Sequence, residues 1–411
     1  MAFAAGAFAE SNTEPNLDRA RLSVRMAREM FDRRAQLLAP TGLRFIAAAV
    51  VVAFHFVRWR FDSRGFLRHF MSCGFIAVGL FFVLSGFILV HAYEHISLSD
   101  ASARRQFWRA RFARVYPVYA LGMLSGACVT FLIGWNRLGE FQSLGGALRL
   151  AAVVTMLTGV SHRTMFLFNW AAWSLTAELV FYILFPLVIE PLRRADFRKI
   201  ILGTIALSLV TWTIPAIYLQ LDPDHLGRPL RLGDELVTIG HYLKFFPLMH
   251  VHEFLWGITA GICWQRFRAS FSGISSLARN LVIAVSALVV SAIAMLGLDR
   301  FYVFLHSGLF APLFALLIVS LASGPSFVAR VLSMRPIVIL GEASYVTYMI
   351  HVPLYLAMEH ELEHRMSADA RCETYLGVLC VLSLVIHYAY EKPLRNLIAK
   401  RKLVAPLQPM T

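Results

Sequence analysis

Residues 44–55 read Arg44-Phe45-Ile46-Ala47-Ala48-Ala49-Val50-Val51-Val52-Ala53-Phe54-His55, an apolar run bracketed by two ionisable side chains. The apolar character extends over about 39–57, and about 20 such residues form a helix long enough to cross a hydrocarbon core. At about 100° per residue, eleven steps end roughly 20° past three full turns and rise about 16 Å. That arithmetic places Arg44 and His55 on one face of a membrane helix. Ionisable groups inside a span are costly and face a bundle interior or a water-filled cavity. Taken singly, Arg44 is also readable as a snorkelling arginine and His55 as an interhelical hydrogen-bonding group. An imidazole near neutral pH is equally the base that hydroxyl activation requires.

The rest of the chain has the same character. Of its 411 residues, 58% are hydrophobic and 16% charged, with a mean hydropathy of +0.62. A water-facing surface needs about a quarter of residues charged, so much of this surface faces lipid. Further apolar segments lie at about 71–93, 115–134, 144–160, 172–190, 200–220, 246–265, 279–297, 302–322, 336–357 and 373–391. The net charge of +14 is carried by short clusters between these segments rather than by a continuous stripe. Such clusters select topology and meet anionic lipid or phosphate-bearing ligands, and nucleic-acid binding is not expected. The five cysteines are scattered without metal-ligand spacing, so neither a disulfide framework nor a metal is expected.

Lys and Arg favour the cytoplasmic side. If 144–160 spanned, the basic segments at 193–199, 266–268 and 330–335 would all fall outside. A short re-entrant or interfacial helix there, which Arg149 also favours, returns all three to the cytoplasm. The loop with Arg58, Arg60, Arg64 and Arg68 is the one that dissents. The expected fold is therefore all-α. It is a polytopic membrane helix bundle of about ten transmembrane helices plus one short re-entrant or interfacial helix. A cytoplasmic tail (1–36), a membrane domain (37–397) and a second cytoplasmic tail (398–411) follow. The sequence carries no signal for oligomeric state.

Other polar groups punctuate the spans. Ser85 lies in Leu80-Phe81-Phe82-Val83-Leu84-Ser85-Gly86-Phe87, where small residues permit close packing; Ser85 lacks a nucleophile-elbow context and reads mainly as packing. Arg111 and Arg114 share a helix face, suited to phosphate or to anchoring. Glu178, in Trp173-Ser174-Leu175-Thr176-Ala177-Glu178, is placed by this topology one or two turns from the outer surface, paired or functional. Ser344, Tyr345 and His351 dot a late span, where His351 is interhelical glue or site-lining. His250 and His252 diverge on a helix and do not form a helical metal pair. Glu391-Lys392-Pro393 reads as a cap and turn.

Together these segments resemble the acyltransferase 3 family of integral membrane O-acyltransferases. The elements are Arg44 and His55 in the first span, the Leu80–Phe87 string, and Arg111-Phe112-Ala113-Arg114 with Tyr116-Pro117. The Trp173–Glu178 string and Ser344-Tyr345 through His351 follow in the family order. The resemblance covers about residues 38–395. It implies transfer of an acetyl or other short acyl group from cytoplasmic acyl-CoA, acetyl-CoA above all, to a carbohydrate hydroxyl. The acceptor would be an exopolysaccharide, lipopolysaccharide or related glycan, modified at a bacterial inner membrane. His55 would be the catalytic base, Arg44, Arg111 and Arg114 would bind the donor, and no cofactor would be tightly bound. The mechanism read from this layout has Glu178 orient the acceptor from the outer side, with Ser85, Trp173, Ser344, Tyr345 and His351 lining the site. Two features depart from the family. The long outer domain fused in some members has no counterpart here, and Val78-Gly79 replaces a step that often carries aspartate. The competing class is a secondary transporter or flippase for a glycan or lipid-linked sugar, whose paired broken helices are not visible.

Overall fold

A computed structural model describes residues 37–61, 65–133, 143–226, 228, 238–297 and 301–399. Both proposed tails lie outside this set, except for residues 398 and 399. Among the described residues, nine helices are long and apolar enough to cross a membrane. They are α1 (Leu37–Arg60), α2 (Phe66–Ala92), α3 (Ala101–Leu132), α5 (Trp170–Arg194), α6 (Phe197–Leu221), α8 (Ser276–Leu296), α9 (Tyr302–Ala322), α10 (Arg335–Leu362) and α11 (Ala368–Ala399). A further helix, α7 (Val251–Ser272), has 22 residues, enough length for a crossing. It carries His252, Glu253, Gln265, Arg266 and Arg268 and falls short only in apolar character. It corresponds to the expected apolar segment at about 246–265, and its residues 252–254 and 257–262 are buried in the bundle. Gly86 on α2 packs against the backbone of α7 at Phe254 and Ile258, and Gly257 on α7 against that of Val83. A Cβ at either glycine would overlap backbone of the facing helix, so the two axes approach as small residues in membrane interfaces allow.

The basic segments gather at one end of the bundle. Arg193 donates to the carbonyls of Tyr93 and Ile96 at 2.6 and 3.3 Å, and Arg266 to those of Arg193 and Ala195 at 2.8 and 2.9 Å. Arg268 pairs with Glu94 at 2.8 Å, and Arg279 donates to the carbonyls of Phe271 and Pro325 at 3.0 and 3.1 Å. This basic end also holds the start of α1 and the end of α11. Three of the dissenting arginines, Arg58, Arg60 and Arg68, sit at the opposite, distal end and are occupied there, while Arg64 lies outside the described residues. The Arg58 guanidinium lies 4.3 Å from the Phe54 ring centre, Arg68 lies 4.5 Å from that of Trp59, and Arg60 pairs with Asp369.

The segment 144–160 does not span. It holds α4 (Leu144–Val154), 11 residues or about 16 Å of helix, then turns and single-turn helices at Thr158–Val160 and His162–Met165 up to α5. Tyr119, near the middle of α3, donates to Val153 O at 2.5 Å, so the segment dips from the distal end to mid-depth and returns. Non-helical backbone at such depth survives only when protein satisfies its polar groups. Here Thr176 bonds both Met156 O at 2.8 Å and the Gly159 amide at 2.9 Å, and Thr164 donates to Thr158 O at 2.8 Å.

Prolines inside the spans are handled in the same way. A helical proline leaves the carbonyl four residues earlier without its amide donor. Pro186 frees Tyr182 O, to which the Trp108 indole donates at 2.9 Å. Pro353 frees Met349 O, to which the buried Asn169 amide donates at 2.8 Å. Long-range side-chain donors therefore fix how α3, α5 and α10 meet around the centre of the bundle.

Candidate functional site

A cavity of about 530 Å³ opens among α1, α2, α3, α5, α10 and α11, a size that suits an extended small-molecule ligand. Arg44, Arg111 and Arg114 line it, as do Ser85, Glu178, Ser344 and Tyr345. Three arginines expected from separate segments thus share one space. Ala399 and Leu37 place its mouth at the basic end, while Ser174 and Tyr348 close its inner end. Tyr345 donates to Val115 O at 2.7 Å and Ser344 to Gly341 O at 2.7 Å, so both hydroxyls are committed to helix backbone. Ser85 contributes to the wall, beside the close packing at Gly86.

Glu178 does not face the distal side. It lies in this cavity, hydrogen-bonded by Tyr182 and near enough to attract Arg44. It shares the cavity with the three arginines, on the cationic side of the site. The sequence topology judged the depth of Glu178 from the end of its helix, whereas the cavity penetrates past the bundle middle.

His55 does not line the cavity with Arg44. The expected shared face assumed 100° per residue throughout, but residues 53–57 form a π-helical turn. Such a turn winds less per residue, which offsets the overshoot of about 20° rather than adding to it, so His55 is set apart from the cavity by depth along α1. It faces α10, where its Nδ1 lies 3.1 Å from Nε2 of the fully buried His351. Nδ1 of His351 lies 2.5 Å from Tyr348 O, and a carbonyl only accepts, so that nitrogen carries the hydrogen. As neutral imidazoles the two rings then have one consistent arrangement: His351 Nε2 accepts, and His55 Nδ1 donates. Nε2 of His55 is left as a bare lone pair, the form a general base requires. The Tyr348 ring, 5.7 Å between centres from that of His351, stands between this pair and the cavity.

Trp173 lies elsewhere. With Gly79, Phe82, His250, Glu253 and His306 it lines a small cavity of about 10 Å³, room for about one water molecule. His250 Nδ1 is 2.7 Å from Glu253 Oε1, and its Nε2 is 3.0 Å from Lys244 O. His252 points away, to Ser208 Oγ at 3.2 Å and Ser307 O at 3.0 Å, in keeping with the divergence expected of the two. A Cβ at Gly79 would overlap the Glu253 carboxylate. The acidic group missing from position 79 is thus matched in space by one supplied from α7.

Sequence reasoning missed four polar lining residues of the larger cavity: Glu342, His387, Lys392 and Arg395. For Lys392 and Arg395 the signal was present in the charges after the last apolar run, but they read as a cap and topology anchor.

The comparisons with known proteins identify the family. Residues 37–389 match the acyltransferase domain of the acyltransferase 3 family. The chain is 27% identical to acyltransferase MdmB of Streptomyces mycarofaciens, over 91% of this chain and 95% of that protein. It is 25% identical to O-acetyltransferase OatA of Staphylococcus aureus, over 86% of this chain and 56% of that protein. It is 24% identical to the putative peptidoglycan O-acetyltransferase YrhL of Bacillus subtilis, over 86% and 54%. No solved structure matches. The ordered motifs, the all-helical membrane bundle and a match that spans most of the chain give one conclusion: this protein is an acyltransferase and belongs to the acyltransferase 3 family.

Proposed function

We propose that the protein moves an acetyl or other short acyl group from acyl-CoA to a carbohydrate hydroxyl, with His55 as general base. The observation that carries this reading is the arginine-lined cavity, whose inner wall backs onto the His351–His55 pair. Lys and Arg segregate to the cytoplasmic side of membrane proteins, so the basic end faces the cytoplasm, where acyl-CoA is found. The donor phosphates meet Arg111 and Arg114, with Arg44 nearer the thioester and Glu178 beside them in the same cavity. The acyl-pantetheine arm extends toward Ser174 and Tyr348.

The acceptor reaches His55 from the distal side, near Trp170, whose ring centre is 6.5 Å from that of His55. Nε2 of His55 takes the hydroxyl proton, the oxygen attacks the thioester carbonyl, and the carbon–sulfur bond breaks. The departing thiolate takes the proton and leaves as CoA thiol. Base assistance of this kind is worth about 10²–10⁴-fold. A glycan acceptor is supported by the name of the YrhL relative, putative peptidoglycan O-acetyltransferase.

The test is label transfer from radiolabelled acetyl-CoA to a peptidoglycan-type oligosaccharide in proteoliposomes. Donor supplied on the basic-end side should be consumed and the label recovered as an alkali-labile ester. Glycan translocation without any ester would overturn the reading in favour of transport.

A further inference from the structure

The last part of α11 brings His387, Lys392 and Arg395 to the donor cavity, and the histidine among them has no role in the mechanism above. His387 is 1% exposed and lines that cavity. It opens the π-helical turn His387–Glu391, and among the described residues the other π-helical turn is the one that carries His55. Such turns are rare and recur at functional sites.

Nδ1 of His387 donates to Glu391 Oε2 at 2.7 Å, while Oε1 of the same buried carboxylate lies 3.5 Å from Arg114 Nη1. Glu391 is thus held between two cavity-lining groups. Nε2 of His387 is buried and makes no hydrogen bond. It lies 3.7 Å from Glu342 Oε2, and Lys392 Nζ lies 3.9 Å from that same oxygen. Two nitrogens converge on one anionic oxygen, each from beyond hydrogen-bond distance.

We infer that His387 and Lys392, with Arg395 beside them, form a subsite for a phosphate group of the donor nucleotide, whose place the Glu342 carboxylate holds until it is displaced. Glu342 Oε2 reaches neither nitrogen at hydrogen-bond distance. A phosphate is free to approach to about 2.8 Å and offers three oxygens and more charge. With that anion at Nε2, His387 is an imidazolium: one N–H meets Glu391, the other meets the phosphate, and the added proton comes from solvent. The charged groups around this ring are Glu342 from α10, Arg111 and Arg114 from α3, and Glu391, Lys392 and Arg395 from its own helix. The Glu342 and Lys392 side chains are 45% and 41% exposed, so both are replaceable without opening the core.

The inference rests on the acyl-CoA reading above, and its test separates the two. Affinities for CoA and 3′-dephospho-CoA are measured by titration calorimetry on the full chain in nanodiscs. His387→Gln and Lys392→Ala should each weaken CoA binding about tenfold, the value of one charge-assisted hydrogen bond. Glu342→Gln should do the opposite and tighten CoA about threefold, because a competing anion is removed. Effects confined to CoA assign the subsite to the 3′-phosphate, and effects shared by both ligands assign it to the diphosphate. A Glu342→Gln variant that binds CoA no tighter than wild type overturns the inference, as does undiminished affinity in Lys392→Ala. Absence of CoA binding by the wild type removes the donor reading itself.

Discussion

Replacing His351 by alanine removes the acceptor that holds His55 in the tautomer with a bare Nε2. One hydrogen bond links the rings, at 3.1 Å, and its net worth between neutral groups is about 1–2 kcal/mol in a buried site. At about 1.4 kcal/mol per decade, kcat should fall about 5- to 30-fold. That is less than the whole contribution of a general base, about 10²–10⁴-fold, because the base itself is still present. Donor affinity should not change, since His351 does not line the arginine cavity. His351→Gln keeps an acceptor oxygen near the same place and should recover part of the loss. The assay is the initial rate of acetyl transfer in proteoliposomes, normalised to folded protein, with CoA affinity measured in parallel. A kcat within about twofold of wild type in the alanine variant would refute the tautomer argument. So would an equal loss in the glutamine and alanine variants, because then ring shape rather than acceptor chemistry decides.

Arg111→Ala should raise the donor KM about tenfold with little change in kcat, the signature of weakened uniform binding. Arg114→Lys should behave like Arg114→Ala toward the donor, because an ammonium group cannot replace the forked grip of a guanidinium on phosphate; steady-state kinetics over acetyl-CoA concentration decide both. Asn169→Ala leaves the Met349 carbonyl freed by Pro353, and the Ala171 amide, without their buried partners. It should cost about 2–4 kcal/mol, visible as a lowered unfolding temperature in detergent, and an unchanged temperature would show that water or backbone motion repairs the gap. The Asp100 carboxyl, which caps α3, is held below its usual value by the Ser102 hydroxyl and by the Ser102 and Ala103 amides. Its folded-state value is lowered, so the capping contribution is present above about pH 4 and is lost as pH falls through that lowered value. Amide exchange at 102 and 103, corrected for intrinsic rate, should therefore accelerate in acid, and a flat profile would count against the cap.

Much of this architecture was legible because lipid imposes simple rules. Apolar length marked the spans, and the charge balance of the loops identified 144–160 as the segment that does not cross. Arg44, Arg111 and Arg114 were found because cations in or beside a span need a reason. The errors came from features with no periodic signature. His55 is set apart from the cavity by Tyr348, whose position depends on how α10 packs and not on the winding of α1. The depth of Glu178 followed from how far the cavity reaches, a property of six helices rather than of one. His387, Lys392 and Arg395 were hidden among charges that topology selection would place there anyway. The carboxylate beside Gly79 comes from Glu253 on α7, far along the chain, and only tertiary packing brings the two together.

The central claim is that His55 supplies the base while the arginine cavity holds the donor. The most direct test is acetyl transfer by His55→Ala in proteoliposomes, with CoA affinity determined on the same preparation. The account predicts a rate lower by about 10²–10⁴-fold with CoA affinity unchanged, because His55 lies outside the cavity wall. Transfer at the wild-type rate, or a loss explained entirely by weaker CoA binding, would contradict it.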